Sequence, residues 1–85
     1  MELNEFVKNF ADQFDETDAS EIKPSTVFHD LEEYSSLIAL SIIAMVDEEY
    51  DVILKGDDMR SAKTVEDLFN VVKGKKTEAL NGINS

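Results

Sequence analysis

The sequence predicts an all-α fold, a small four-helix bundle of three longer helices and one short third helix. Three observations carry this. Apolar residues recur at the helical period in three separate stretches, no stretch keeps the two-residue alternation of a strand, and 85 residues are enough for a single core. A hydrophobic share of 42% beside 32% charged residues is the mixture of a folded globular domain, too apolar for a disordered chain.

The first helix is expected over residues 2–15, where Leu3, Phe6, Val7, Phe10 and Phe14 fall on one helical face. From Glu16 to Tyr34 the periodicity disappears, and Thr, Asp, Ser and the only proline, Pro24, favour irregular backbone. A connection this long in so small a domain has a role or contains a short turn of helix, and Val27, Phe28 and Leu31 are apolar enough to tuck against the core.

The second helix starts at the Ser35-Ser36 pair, whose hydroxyls can accept a bond from a free backbone N–H, and runs to about Asp51. At 100° per residue, Ala39, Ile42, Ile43, Val46 and Tyr50 form its core face, with Ile38 at the margin. Opposite lie Ser36, Leu37, Leu40, Ser41, Ala44, Asp47, Glu48 and Asp51, apolar at the centre and acidic towards the C-terminal end. Leu37 and Leu40 either pack under the long loop or form the centre of a docking strip. The second reading joins apolar anchors to a charged rim, which is how a transient interface combines hold with electrostatic steering.

Within residues 52–63 a glycine, paired aspartates, Met59 and Ala62 suggest a break and then the short third helix. Thr64-Val65-Glu66-Asp67 resembles a capping box, and Val65, Leu68, Phe69 and Val72 mark the fourth helix, expected to stop near Lys73 ahead of Gly74. The expected domain is residues 1–73, with residues 74–85 as a flexible tail that has little to bury.

Composition narrows the function. The formal net charge is -11, from 19 acidic and 8 basic side chains, which repels nucleic acid and anionic lipid and calls for a basic partner surface. Cysteine is absent, so there is no disulfide, no thiolate ligand for zinc and no cysteine nucleophile. No apolar run approaches membrane-spanning length and the opening residues do not resemble a signal peptide, so a cytoplasmic monomer without membrane insertion is expected. The only imidazole, His29, has nothing to place it as a base for a serine, and Lys55-Gly56-Asp57-Asp58 lacks the ligand spacing of a calcium loop. Neither catalytic residues nor a metal site are expected, and the chain reads as a non-enzyme.

The segment from Phe28 to Leu37, F-H-D-L-E-E-Y-S-S-L, followed by a helix ending D-E-E-Y-D, resembles the acyl carrier protein family. Phe28, Asp30, Leu31, Ser36 and Leu37 match the family's signature in type and spacing, as does the T-V-E-D-L start of the last helix. The likeness covers roughly residues 3–73. Two departures stand out: Ser35 occupies the usual aspartate position, and Glu32-Glu33-Tyr34 replaces a segment that commonly contains glycine.

The resemblance implies 4'-phosphopantetheine as a covalent cofactor on a serine, carrying acyl groups as thioesters for fatty-acid, polyketide or related synthesis. By register that serine is Ser36, directly before Leu37, with Ser35 the lesser candidate and the better N-cap. It also implies that Leu37, Leu40, Ala44, Asp47 and Glu48 meet the partners: a phosphopantetheinyl transferase and acyl-transferring or synthase enzymes with basic docking surfaces. Ser41 stands where many members carry an acid. Val46, Leu54, Ala62 and Leu68 are candidates to line a space for the acyl chain, or equally to be ordinary core. Two other readings stay open: an unmodified, carrier-like interaction domain, and a carrier of aminoacyl or peptidyl groups.

Overall fold

A computed structural model describes residues 2–84, and their side chains as far as residue 77. Four α-helices follow in order: α1 (Leu3–Ala11), α2 (Ser36–Tyr50), α3 (Gly56–Ser61) and α4 (Val65–Asn84). Short 3-10 turns at Ala19–Glu21 and Phe28–Asp30 interrupt the long α1–α2 connection. The described residues contain no strand, only an isolated antiparallel bridge between Val27 and Thr64. The all-α four-helix expectation is borne out.

The apolar stripes become the core. Phe6 and Phe10 of α1, Ile42 and Val46 of α2, and Val65, Leu68 and Val72 of α4 are all fully buried, joined by Phe28 from the loop. Each such side chain contributes about 1.5–3 kcal/mol relative to exposure. The rings form a chain of contacts: Phe10 meets Phe28 edge-on at 5.3 Å, and Phe6 meets Phe69 at 5.6 Å and Tyr50 at 5.8 Å. Burial of the Tyr50 hydroxyl is offset by a hydrogen bond donated by Asn9 Nδ2 at 2.9 Å.

Helix starts follow local side-chain chemistry. At α4 the Asp67 N–H donates to Thr64 Oγ1 and the Thr64 N–H donates to Asp67 Oδ2, both at 3.0 Å. This is the reciprocal box expected from the sequence, with aspartate in place of glutamate. The Lys55 N–H donates to Asp58 Oδ2 at 2.9 Å, which fixes the first turn of α3.

Four expectations need correction. α1 ends at Ala11 rather than Asp15, because the N–H groups of Gln13 and Phe14 bond three residues back, to Phe10 and Ala11, and tighten the chain into a turn. Phe14 is still buried. Val27 does not tuck inward: its side chain is 41% exposed, and Ile22 fills the core from that loop instead. Met45 of α2, which the expected core face omits, is buried, whereas Ala39 and Ile43 are only partly buried.

The fourth correction is the length of α4, which does not stop near Lys73 but passes through Gly74 to Asn84. Gly74 keeps a negative φ, and the cost of one glycine in a helix, about 1 kcal/mol, is too small to end it between good helix formers. Two lysines tie this extension to the bundle. Lys75 Nζ lies 3.3 Å from Asp58 Oδ2 on α3, and Lys76 Nζ donates to the Tyr50 carbonyl at 2.9 Å, at the end of α2.

Candidate functional site

The site is built around the start of α2. Ser35 has extended backbone (φ -153°, ψ 177°) and its Oγ accepts from the Ile38 N–H at 3.4 Å, so it is the N-cap. Ser36 is therefore the first helical residue, and its side chain is exposed. The two adjacent serines are thus divided by geometry: one hydroxyl is engaged with the helix and the other is presented to solvent. The N–H groups of Ser36 and Leu37 lie in the first turn, where no intrahelical carbonyl is available and the positive end of the helix dipole points outward.

The face that follows is open. Leu37 is 76% exposed and Leu40 62%, so neither packs under the long loop. Ser41, Ala44, Asp47 and Glu48 are also exposed, and all five residues expected to meet partners lie on the surface of one helix. The opposite side holds Ile42, Met45, Val46 and Tyr50 in the core.

Beside the serines runs a groove of about 430 Å³, bordered by Tyr34, Ser36, Ala39, Leu40 and Ile43 on one side and by Met59 and Arg60 of α3 on the other. The partial burial of Ala39 and Ile43 is explained by this groove. Tyr34 is held by rings: it meets Phe28 at 5.3 Å and His29 at 5.1 Å, both edge-on, and burial pushes its phenol pKa up. His29 stacks on Phe28 and its Nε2 lies 2.9 Å from the Ala62 carbonyl, which links the loop to the α3–α4 junction. Val46, Leu54, Ala62 and Leu68 are all buried in the core, and none borders the groove.

A further residue escaped the sequence reading. Glu33, three positions before Ser36, accepts hydrogen bonds from the N–H groups of Asp15, Glu16 and Thr17 and from the Thr17 hydroxyl, at 2.6, 3.0, 2.8 and 2.8 Å. Desolvation works to raise its pKa, but the four donors outweigh it and hold the carboxyl below its usual range. The only hint in the sequence was the departure at Glu32-Glu33-Tyr34.

Residues 5–72 match the phosphopantetheine attachment site family. The chain belongs to this family. It is a phosphopantetheine carrier protein, whose cofactor is covalently attached 4'-phosphopantetheine and whose role implies contact with transferases and synthases. No solved structure matches this carrier. Its architecture suits such a cofactor: an exposed serine hydroxyl stands at a helix N-terminus, where a phosphodiester meets free N–H groups, with a groove alongside. Among the described residues no helix of the carrier is long and apolar enough to cross a membrane.

Proposed function

We propose that Ser36 is the attachment serine and that the protein carries acyl groups for fatty-acid, polyketide or related synthesis in the cytoplasm. The observation that carries this is the division between the two serines: Ser35 caps α2, which leaves the Ser36 hydroxyl exposed and directly before Leu37. The bound arm supplies a terminal thiol on which acyl groups are held as thioesters, so a chain without cysteine is sufficient. The surrounding residues present the arm. Leu37, Leu40 and Ala44 offer apolar contact, and Asp47 and Glu48 steer basic enzymes towards it.

The partly apolar groove beside Ser36 is the place where carried groups of modest size can shelter between deliveries. Ala39, Leu40, Ile43 and Met59 provide its apolar wall. The -11 charge supports acyl-type partners with basic surfaces over the other carrier classes.

The test is direct. The purified chain is incubated with coenzyme A and a phosphopantetheinyl transferase, and its intact mass is followed. Mass gain that is lost in Ser36→Ala and kept in Ser35→Ala is expected. Gain that persists in Ser36→Ala and vanishes in Ser35→Ala would overturn the assignment.

A further inference from the structure

The α1–α2 connection has few regular backbone bonds of its own, and the three consecutive N–H groups of Asp15, Glu16 and Thr17 donate to one side chain, that of Glu33. Glu33 Oε1 accepts from Glu16, from Thr17 and from the Thr17 hydroxyl, while Oε2 takes Asp15. A single carboxylate therefore joins the exit of α1 to the segment that enters α2. Bonds to an ionised acceptor are roughly twice as strong as neutral ones, and four converge here.

What this clamp holds is the approach to the serines. Tyr34 follows Glu33 directly, bonds back through its N–H to the Leu31 carbonyl at 3.0 Å, and packs on Phe28 and His29. Ser35 comes next as the N-cap, and then Ser36. A shift of the Glu33 backbone is passed through two residues to the Ser36 hydroxyl. Among the described residues, these four are the hydrogen bonds that tie Asp15–Thr17 to the segment before α2.

We propose that Glu33 is a positioning residue for modification of Ser36: by gathering the N–H groups of Asp15, Glu16 and Thr17 it fixes the loop so that the Ser36 hydroxyl is pre-set for attack. This rests on the reading of Ser36 as the attachment serine. In the reaction Ser36 Oγ bonds to the pantetheine-bearing phosphorus of coenzyme A and gives up its proton to a base of the transferase. The phosphoanhydride bond breaks, and adenosine 3',5'-bisphosphate leaves with the electron pair. A nucleophile held in line for such a displacement gains rate from orientation, and small misplacements cost much of it.

The experiment is steady-state kinetics of a phosphopantetheinyl transferase on the full apo chain, comparing the unaltered protein with Glu33→Gln and Glu33→Ala. Glu33→Ala is expected to lower kcat roughly ten- to hundred-fold while KM for the carrier stays within about two-fold, because the exposed face of α2 is untouched. Glu33→Gln keeps an oxygen for three of the four bonds and loses the acceptor facing Asp15, so its kcat should fall between the two. Amide hydrogen exchange at Asp15, Glu16 and Thr17 should accelerate in the same order. Should Glu33→Ala fail to fold, the Gln variant carries the comparison alone.

An unchanged kcat in the folded Ala variant, or in the Gln variant where that stands alone, would overturn the proposal. So would a rise in KM at constant kcat, which would make Glu33 a docking residue. Failure of the underlying reading looks different: the unaltered chain itself would gain no mass at Ser36.

Discussion

Asp47 and Glu48 sit in the last turn of α2, beside the carbonyl end of the helix dipole, where negative charge is unfavourable. Tyr50 ends the helix, its last turn holds no basic residue of its own, and the Lys76 ammonium bonds to the Tyr50 carbonyl. Neutralising both acids as Asp47→Asn with Glu48→Gln removes two adverse charges and, at 0.3–1 kcal/mol each, should stabilise the fold by about 1 kcal/mol at low salt. For a domain of this size that corresponds to a rise in Tm of roughly 4–8 °C. The side chains are exposed, so little packing is lost. If the acids steer partners, the same variant should associate with a basic transferase roughly ten-fold more slowly at low ionic strength, with a flatter salt dependence. Thermal melts and stopped-flow association at several salt concentrations give both numbers. A more stable protein that binds more slowly is the expected result. An unchanged on-rate would refute the steering argument, and a lowered Tm would refute the dipole argument.

Four further outcomes follow from local geometry. A Cβ at Gly74 meets nothing within 4 Å, so Gly74→Ala should stabilise by up to about 1 kcal/mol if α4 runs through it, and a loss in urea denaturation would favour a helix that ends there. Asp51 closes α2 in the left-handed region (φ 58°, ψ 39°), so Asp51→Gly should add roughly 0.5–1 kcal/mol and Asp51→Val should cost more than 1 kcal/mol by the same denaturation. Thr64→Ala should cost about 1 kcal/mol through loss of the α4 cap. The partner carboxyl of Asp67 is held below its usual range, first by the Thr64 N–H. A depressed folded-state pKa means stability that is present above the unfolded value, about 4, and is lost as pH falls through the folded one. Tm should therefore decline as pH drops below about 4.5, with a share of the decline missing in Asp67→Asn.

The sequence was most informative where one residue type does one local job. Ser35 as a cap, Thr64 and Asp67 as a reciprocal box, and the stripe Val65, Leu68, Phe69 and Val72 are each decided within a single turn, and the structure has them as expected. Expectation and structure part where distant neighbours decide. Val27 and Ile22 are equally apolar, and which one turns inward depends on a bridge to Thr64 far along the chain. The continuation of α4 past Gly74 gains from Lys75 reaching Asp58 and Lys76 reaching Tyr50, contacts that no local pattern encodes. Glu33 is the extreme case: it lies in an aperiodic loop and its partners are 16–18 residues upstream, so only the fold shows what it does.

The departure at position 35 has a physical consequence for the attachment reading. An aspartate there would cap α2 equally well, but it would place a full negative charge one residue from a phosphodiester on Ser36. Serine supplies the same acceptor to the Ile38 N–H without that charge. The positive end of the α2 dipole is then free to act on the phosphate rather than on its own cap. In a chain with 19 acidic residues, whose proposed docking face places Asp47 and Glu48 at the far end of the same helix, a neutral cap would separate the two electrostatic tasks proposed for α2. On the proposed reading, the N-terminal end holds an anion and the C-terminal end displays anions to a partner. Had the acids been at the start of α2 they would have stabilised the helix and opposed the phosphate. At its end they oppose the helix and would leave a phosphate on Ser36 alone, an arrangement that the proposed function explains and stability does not.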